Sequence, residues 1–207
     1  WAQYVDEYID LARDPSYFRV LDGRPLIYLY QPRTLGEGRR KQPAPPERVD
    51  RCLRLLRERL REAGAGNPYL VGMVNPRKPG WERLYDEGLL DCVTLYHQRY
   101  GGRDLQYGTL WGHIRHSTLH GTFKRPDLKV IPNTMSGANG VPRYREGGPF
   151  PMWDWSEPAP GELAARVTGA FDYVADHPRK CEANTVIMYA WNEFSEGGFL
   201  CPTMGKP

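Results

Sequence analysis

The sequence has few cysteines, no long apolar run and little net charge. Its four cysteines stand far apart without a CxxC pair, which argues against a zinc ribbon and leaves a disulfide unsupported. The longest apolar stretches, at 26–30 and 186–191, are far shorter than the ~20 residues that a membrane-spanning helix needs. The 28 basic and 25 acidic side chains leave a net charge of +3, which is too small to imply nucleic-acid binding. The lack of a long apolar run excludes a membrane-spanning protein.

Short apolar segments alternate with helical patterns along the chain. Their spacing predicts strands near 25–30, 69–74, 91–97, 129–133 and 185–191, and helices near 3–12, 47–63, 81–87, 104–120 and 161–176. No Asn-Gly or Asp-Gly turn joins two of these strands, so the pattern favours β/α repeats with parallel strands. Strands as uniformly apolar as these are covered on both faces, as in a closed barrel or a doubly wound sheet.

The choice between those two α/β folds depends on a missing motif. No glycine-rich phosphate-binding fingerprint follows any of the strands, and this absence favours a (β/α)8 TIM-type barrel. Five strands cannot close an eight-stranded barrel, so we expect three strands upstream. The sequence therefore predicts that residues 1–207 form a single domain that is an excerpt, about the last five β/α units of a larger catalytic barrel.

One connection, at 135–160, is much longer than the others. Loops of more than ~12–15 residues in compact domains are usually functional or disordered, and the aromatic residues of this one favour a functional loop. Trp153 and Trp155 are candidates for a sugar-stacking platform at an outer subsite. Alternating tryptophans more often anchor a loop to the core, so the anchoring role is the stronger alternative.

The densest group of reactive side chains follows the last predicted strand. Glu193 and Glu196 are three residues apart at its C-terminal end, where a barrel places its active site. Like charges held close together separate the two pKa values, so one carboxyl group serves as acid and the other as base in glycosidic bond cleavage. Asn192 suits a sugar hydroxyl, and Trp191 offers a flat apolar face for a pyranose ring. The alternative is a solvated acidic turn that bends at Gly197 and Gly198.

Two motifs resemble a known family. The segment WNEFSEGG at 191–198 with Leu-Cys-Pro-Thr at 200–203, and the earlier Tyr-Phe-Arg-Val at 17–20 with Asp-Gly-Arg-Pro at 22–25, are similar to the glycoside hydrolase family 99-like domain, which includes the WbsX-like proteins. The motifs also occur in the family's order. The resemblance spans most of the chain and corresponds to the C-terminal part of a (β/α)8 barrel.

The resemblance implies a reaction and a role for each glutamate. Members of known activity are retaining endo-α-mannosidases with a paired-glutamate ExxE motif. Glu193 matches the base that acts on the sugar 2-hydroxyl to form a 1,2-anhydro intermediate, and Glu196 matches the acid that protonates the leaving oxygen and later activates water. The implied function is therefore hydrolysis of a poly- or oligosaccharide, an α-mannoside in those members. The alternative is a glycosyltransferase or carbohydrate-binding protein of surface polysaccharide biosynthesis.

Further polar residues fall at predicted strand ends, which converge on one face of a barrel. A polar residue that satisfies its own loop is the stronger alternative for each of them. Tyr96 and Asn133 are the preferred sugar contacts, because a phenol hydroxyl and an amide both suit sugar hydroxyl groups. The full set is Tyr30, Gln31, Asn75, Tyr96, His97 and Asn133.

Two other patterns predict no function. His113, His116 and His120 share a helical spacing but have no carboxylate or cysteine partner, so they indicate a polar surface stripe, and we expect neither a metal nor a cofactor. Residues 33–61 hold ten basic and four acidic side chains, yet without interleaved aromatics they do not indicate nucleic-acid binding. The arginines opposite the leucine stripe, predicted to be solvated, are Arg51, Arg54, Arg57 and Arg61.

Overall fold

A computed structural model describes residues 1–36, 43–75, 78–95, 102–105, 123–137, 153–155, 158–193 and 198–201. The chain divides into two compact units. Unit 1 comprises residues 1–95, 128–130 and 182–184, and unit 2 comprises residues 96–127, 131–181 and 185–207. None of the described helices has the length and apolar content required to cross a membrane.

Unit 1 contains a four-stranded sheet in the order β1-β2-β3-β4, in which β1 (Arg19–Val20) is antiparallel to its neighbour β2. Strands β2 (Arg24–Tyr30), β3 (Tyr69–Val74) and β4 (Cys92–Leu95) are parallel to one another, with Leu26 opposite Tyr69 and Val71 opposite Cys92. A parallel bridge between Val93 and Val130 extends this arrangement by one further segment. The strands predicted at 25–30 and 69–74, and their parallel direction, are confirmed.

Three α-helices in the described part of unit 1 accompany this sheet: α1 (Ala2–Arg13), α2 (Pro46–Glu62) and α3 (Trp81–Asp86). The helix predicted at 47–63 is confirmed, and Gly64, at φ +73°, directly follows its C-cap residue Ala63. Apolar side chains three and four residues apart on α1 and α2 bury against residues of β2 and β3. This core contains Val5, Ile9, Ala12, Ile27, Leu29, Val49, Leu53, Leu56, Leu60 and Leu70.

The N-terminal ends of the parallel strands carry a network of ion pairs. Asp91, just before β4, accepts hydrogen bonds from Arg24 and Arg57 at 2.7 Å each and from the backbone N–H of Leu70 at 2.8 Å. The prediction of a solvated Arg57 was therefore wrong. Arg57 follows the buried Leu56, and its guanidinium reaches Asp91 with only 12% of the side chain exposed.

The described residues of unit 2 form three two-stranded pairings and one helix. Strands β6 (Asn133–Met135) and β8 (Ile187–Tyr189) are parallel, as are β5 (Gly102–Leu105) and β7 (Trp153–Trp155). Helix α4 (Glu162–Asp176) confirms the helix predicted at 161–176. Strands β9 (Asn192–Glu193) and β10 (Gly198–Phe199) form a short antiparallel hairpin.

Several predicted boundaries need correction. The strand predicted at 129–133 is instead a single bridge at Val130 followed by β6, because Pro132 has no N–H to continue the ladder. Asp104 and Leu105, predicted to begin a helix, belong to β5, and the rest of that predicted helix lies outside the described residues. The predicted long loop contains β7, and β1 (Arg19–Val20) is a further strand that was not predicted.

Candidate functional site

The carboxyl ends of β6 and β8 are joined through Ser136. The backbone N–H of Ser136 donates to the carbonyl of Tyr189 at 2.7 Å, and its hydroxyl donates to the same carbonyl at 3.2 Å. That hydroxyl also accepts from the N–H of Ala190 at 3.3 Å. Ser136 is only 6% exposed, so these bonds form away from bulk water and fix the direction in which the chain leaves β8.

A buried arginine supports the same strand end. Arg166 projects from α4, is 3% exposed, and donates from Nη1 to the carbonyl of Met135 at 2.7 Å. Hydrogen bonds to a charged donor are about twice as strong as neutral ones. Arg166 therefore ties α4 to the last residue of β6. Neither Ser136 nor Arg166 was predicted from the sequence, because their partners are more than thirty residues away along the chain.

Beyond Tyr189 the chain turns outward and then back on itself. The Tyr189–Ala190 peptide bond is cis, and the side chain of Trp191 is 64% exposed. The carbonyl of Trp191 accepts hydrogen bonds from the N–H groups of Leu200 and Cys201, at 3.0 and 2.9 Å. These bonds hold the two arms of the β9–β10 hairpin together at its base and leave the indole available to a ligand.

The first predicted catalytic residue lies within this hairpin. Glu193 pairs with Gly198, and the exposed Asn192 pairs with Phe199. The pairing therefore brings Gly198 and Phe199 alongside Asn192 and Glu193. Glu196, between the two paired segments in sequence, lies outside the described residues.

The remaining predicted contacts have different positions. Asn133 is the first residue of β6 and is 4% exposed. The prediction that it stands at the carboxyl end of a strand was therefore wrong. Trp153 begins β7 opposite Gly102 of β5. Tyr30 ends β2 and is 47% exposed. Tyr96 and His97 lie outside the described residues.

Unit 1 has its own small depression at the carboxyl ends of β2 and β3. Gln31 and Asn75, both in the predicted set of strand-end residues, line it together with Arg33 and Lys78. The basic pair was not predicted. The excess of positive charge that begins at Arg33 is the signal in the sequence for a basic site here. The helical spacing of the later arginines instead predicts that this charge lies on the outer face of α2.

Within the described parts of the chain, no three histidine, cysteine, aspartate or glutamate side chains come together as a metal site would require. His113, His116 and His120 lie outside those parts.

The chain matches no protein-family model, and comparison with the curated proteins and with the solved structures gives no significant similarity.

Proposed function

We propose that the chain is the C-terminal part of a (β/α)8 barrel enzyme that hydrolyses a glycosidic bond in a poly- or oligosaccharide. Glu193 and Glu196 are the catalytic pair in this proposal. The observation that carries it is the sequence of features after β8, in which an exposed indole and an exposed amide lead directly into the paired residue Glu193. Ligands of parallel α/β folds bind at the carboxyl ends of the strands, which is where these residues stand.

The exposed Trp191 supports a sugar ligand over other small molecules. A large aromatic side chain that is 64% exposed does little for the core, and its flat apolar face is complementary to the C–H face of a pyranose ring. Asn192, also exposed, provides a donor and an acceptor for sugar hydroxyl groups. An aromatic ring for stacking and an amide for hydrogen bonds are elements of a glycosidase subsite.

The rigid support below the hairpin favours catalysis over simple binding. Ser136 and Arg166 immobilise the two strand ends through buried hydrogen bonds, and Trp191 follows Tyr189 by two residues. Catalytic groups must be held within a fraction of an ångström of their working geometry, and a loop on mobile support does not meet this condition.

The proposed reaction proceeds in two steps, with roles taken from the family resemblance. Glu193 removes the proton of the sugar 2-hydroxyl, whose oxygen attacks the anomeric carbon while Glu196 gives its proton to the departing oxygen. Glu196 then takes a proton from water, which opens the 1,2-anhydro ring, and the 2-oxygen recovers its proton from Glu193. The anomeric configuration is retained because the carbon is inverted twice.

The experiment is a screen of the full-length protein against α-mannans and other polysaccharides, with reducing ends and product sizes measured. Hydrolysis by the wild type that is lost in Glu193→Gln and Glu196→Gln supports the proposal. Glu182→Gln is the matched control, since Glu182 pairs with Lys129 at 3.0 Å within unit 1. Equal hydrolysis by all four proteins, or none by the wild type on any glycan that it binds, would contradict it.

A further inference from the structure

The two ends of the unit 1 sheet differ in how their charges are balanced. At the N-terminal ends of the strands Asp91 pairs with Arg24 and Arg57, and Glu182 pairs with Lys129. At the carboxyl ends, Arg33 and Lys78 line the depression, and neither side chain forms a hydrogen bond or ion pair with any residue in the described ranges. Two unpaired cations beside one concave surface create a local positive potential.

The floor and one wall of the depression are rigid. Its floor includes Trp81, which is 4% exposed, and the buried Pro32. Gln31 has a left-handed backbone (φ 45°) that is fixed by a hydrogen bond from its N–H to the carbonyl of Met73 at 3.0 Å. Thr34 adds a bond from its hydroxyl to the carbonyl of Gln31 at 2.8 Å. The depression is therefore shaped before any ligand arrives.

An exposed aromatic ring stands beside this charged surface. The amide nitrogen Nε2 of Gln31 donates to the hydroxyl of Tyr30 at 3.1 Å, and Tyr30 is 47% exposed. Three residues close together in the sequence thus provide complementary groups. Tyr30 has a ring for stacking, Gln31 has an amide for hydroxyl groups, and Arg33, two residues on, has a guanidinium that binds planar anions. The set matches a sugar that carries a negative charge better than it matches a neutral sugar.

We propose that this depression is a subsite for the anionic group, carboxylate or sulfate, of an acidic glycan. Arg33 and Lys78 bind the anion, Gln31 and Asn75 bind hydroxyl groups of the same residue, and Tyr30 stacks on its ring. The inference rests on the proposed function and names its substrate class. A nucleic acid would present phosphates along an extended backbone, whereas this depression offers two cations around one small concavity.

The test is calorimetric titration of the full-length protein with three tetrasaccharides of one backbone: a glucuronic acid-containing form, its carboxyl-reduced neutral counterpart and a sulfated neutral form. We expect at least one acidic form to bind ten-fold or more tightly than the neutral one, and the tighter acidic form identifies the anion. Arg33→Gln combined with Lys78→Gln should abolish that preference and leave binding of the neutral form unchanged.

Arg54→Gln is the control for loss of positive charge, because Arg54 is exposed on α2 and does not line the depression. It should keep the preference. The inference would be overturned if this control lost the preference or if the double variant kept it. Tighter binding of a DNA oligomer that also depended on Arg33 and Lys78 would overturn it as well. Acid-selective binding through Arg33 and Lys78 without any glycan cleavage would sink the proposed hydrolysis and leave the subsite standing. Cleavage of neutral glycans without acid-selective binding would overturn the subsite and leave the proposed hydrolysis standing.

Discussion

Ser136 and Tyr189 are joined at the carboxyl ends of two parallel strands, with the N–H of Ser136 2.7 Å from the carbonyl oxygen of Tyr189. The hydroxyl of Ser136 adds a second bond to this carbonyl and accepts one from Ala190. Trp191, the first residue of the proposed site in unit 2, follows Tyr189 by two residues. The junction is therefore the support on which the proposed site depends.

Removing the hydroxyl should weaken the fold measurably. Ser136→Ala leaves the N–H of Ala190 without its acceptor at a site that is only 6% exposed, so we expect the free energy of unfolding to fall by about 1–2 kcal/mol. Urea unfolding followed by circular dichroism measures this. Ser16→Ala removes an exposed hydroxyl that bonds Asp14 and should change stability by less than about 0.5 kcal/mol. Equal effects of both substitutions would refute the role of burial.

The pairing of Asp91 predicts a larger loss. Asp91→Asn deprives Arg24 and Arg57 of their counter-charge, and side chains that are 23% and 12% exposed recover only part of it from water. We expect a loss of about 3 kcal/mol in unfolding free energy. The control is Asp6→Asn, which breaks an exposed 3.8 Å pair with Arg59 and should cost less than about 0.5 kcal/mol. A cost below 1 kcal/mol for Asp91→Asn would show that the pairing contributes little.

A substitution at Gly72 tests the packing of β3 beneath the depression. A methyl group on Gly72 would lie 2.7 Å from Cδ1 of Leu90 and 3.3 Å from Cγ of Pro32, so Gly72→Ala should cost about 1–3 kcal/mol. Leu90→Val removes the nearer atom. In that background the same glycine substitution should cost less than about 1 kcal/mol. A double-mutant cycle by chemical denaturation measures the coupling, and strictly additive costs would rule out the clash.

Cys181 predicts a pH dependence in the alkaline range. Burial raises the pKa of its thiol to about 12, from an ordinary value near 9. Between these values the unfolded chain loses the proton and the folded chain keeps it, so stability should fall as pH rises from 9 to 12. Cys181→Ala should make this decline less steep. Cys201→Ala alters a more exposed thiol and should keep the wild-type slope, and identical slopes in all three proteins would contradict the assignment.

The sequence predicted best what depends on local periodicity. The leucine spacing of α2 and the apolar runs of β2 and β3 specify buried faces, since each pattern repeats within a few residues. The flank of α2 was harder to predict. Arg57 looks like its solvated neighbour Arg54 in the sequence, and only the approach of Asp91, 34 residues away, makes it part of the core edge.

The sequence predicts a candidate site after β8 but not the residues that support it. The carboxylate motif at 193–196 is a local signal, whereas the β9–β10 hairpin has only two residues in each strand and leaves no periodic trace. The parallel pairing of β5 with β7 joins segments about fifty residues apart, which periodicity cannot detect. Closure of the strands into a barrel and the catalytic use of the glutamates stay predictions of the sequence and its family resemblance.

The most direct test of the central claim compares two substrates of one glycan in the full-length protein, one with a natural sugar leaving group and one with an activated phenol. Glu196→Gln should lower kcat/KM at least ~100-fold on the natural substrate and much less on the activated one, because a good leaving group needs little protonation. Glu193→Gln should be severe on both, since its work is on the 2-hydroxyl group. Wild-type rates for both variants on both substrates would contradict the account.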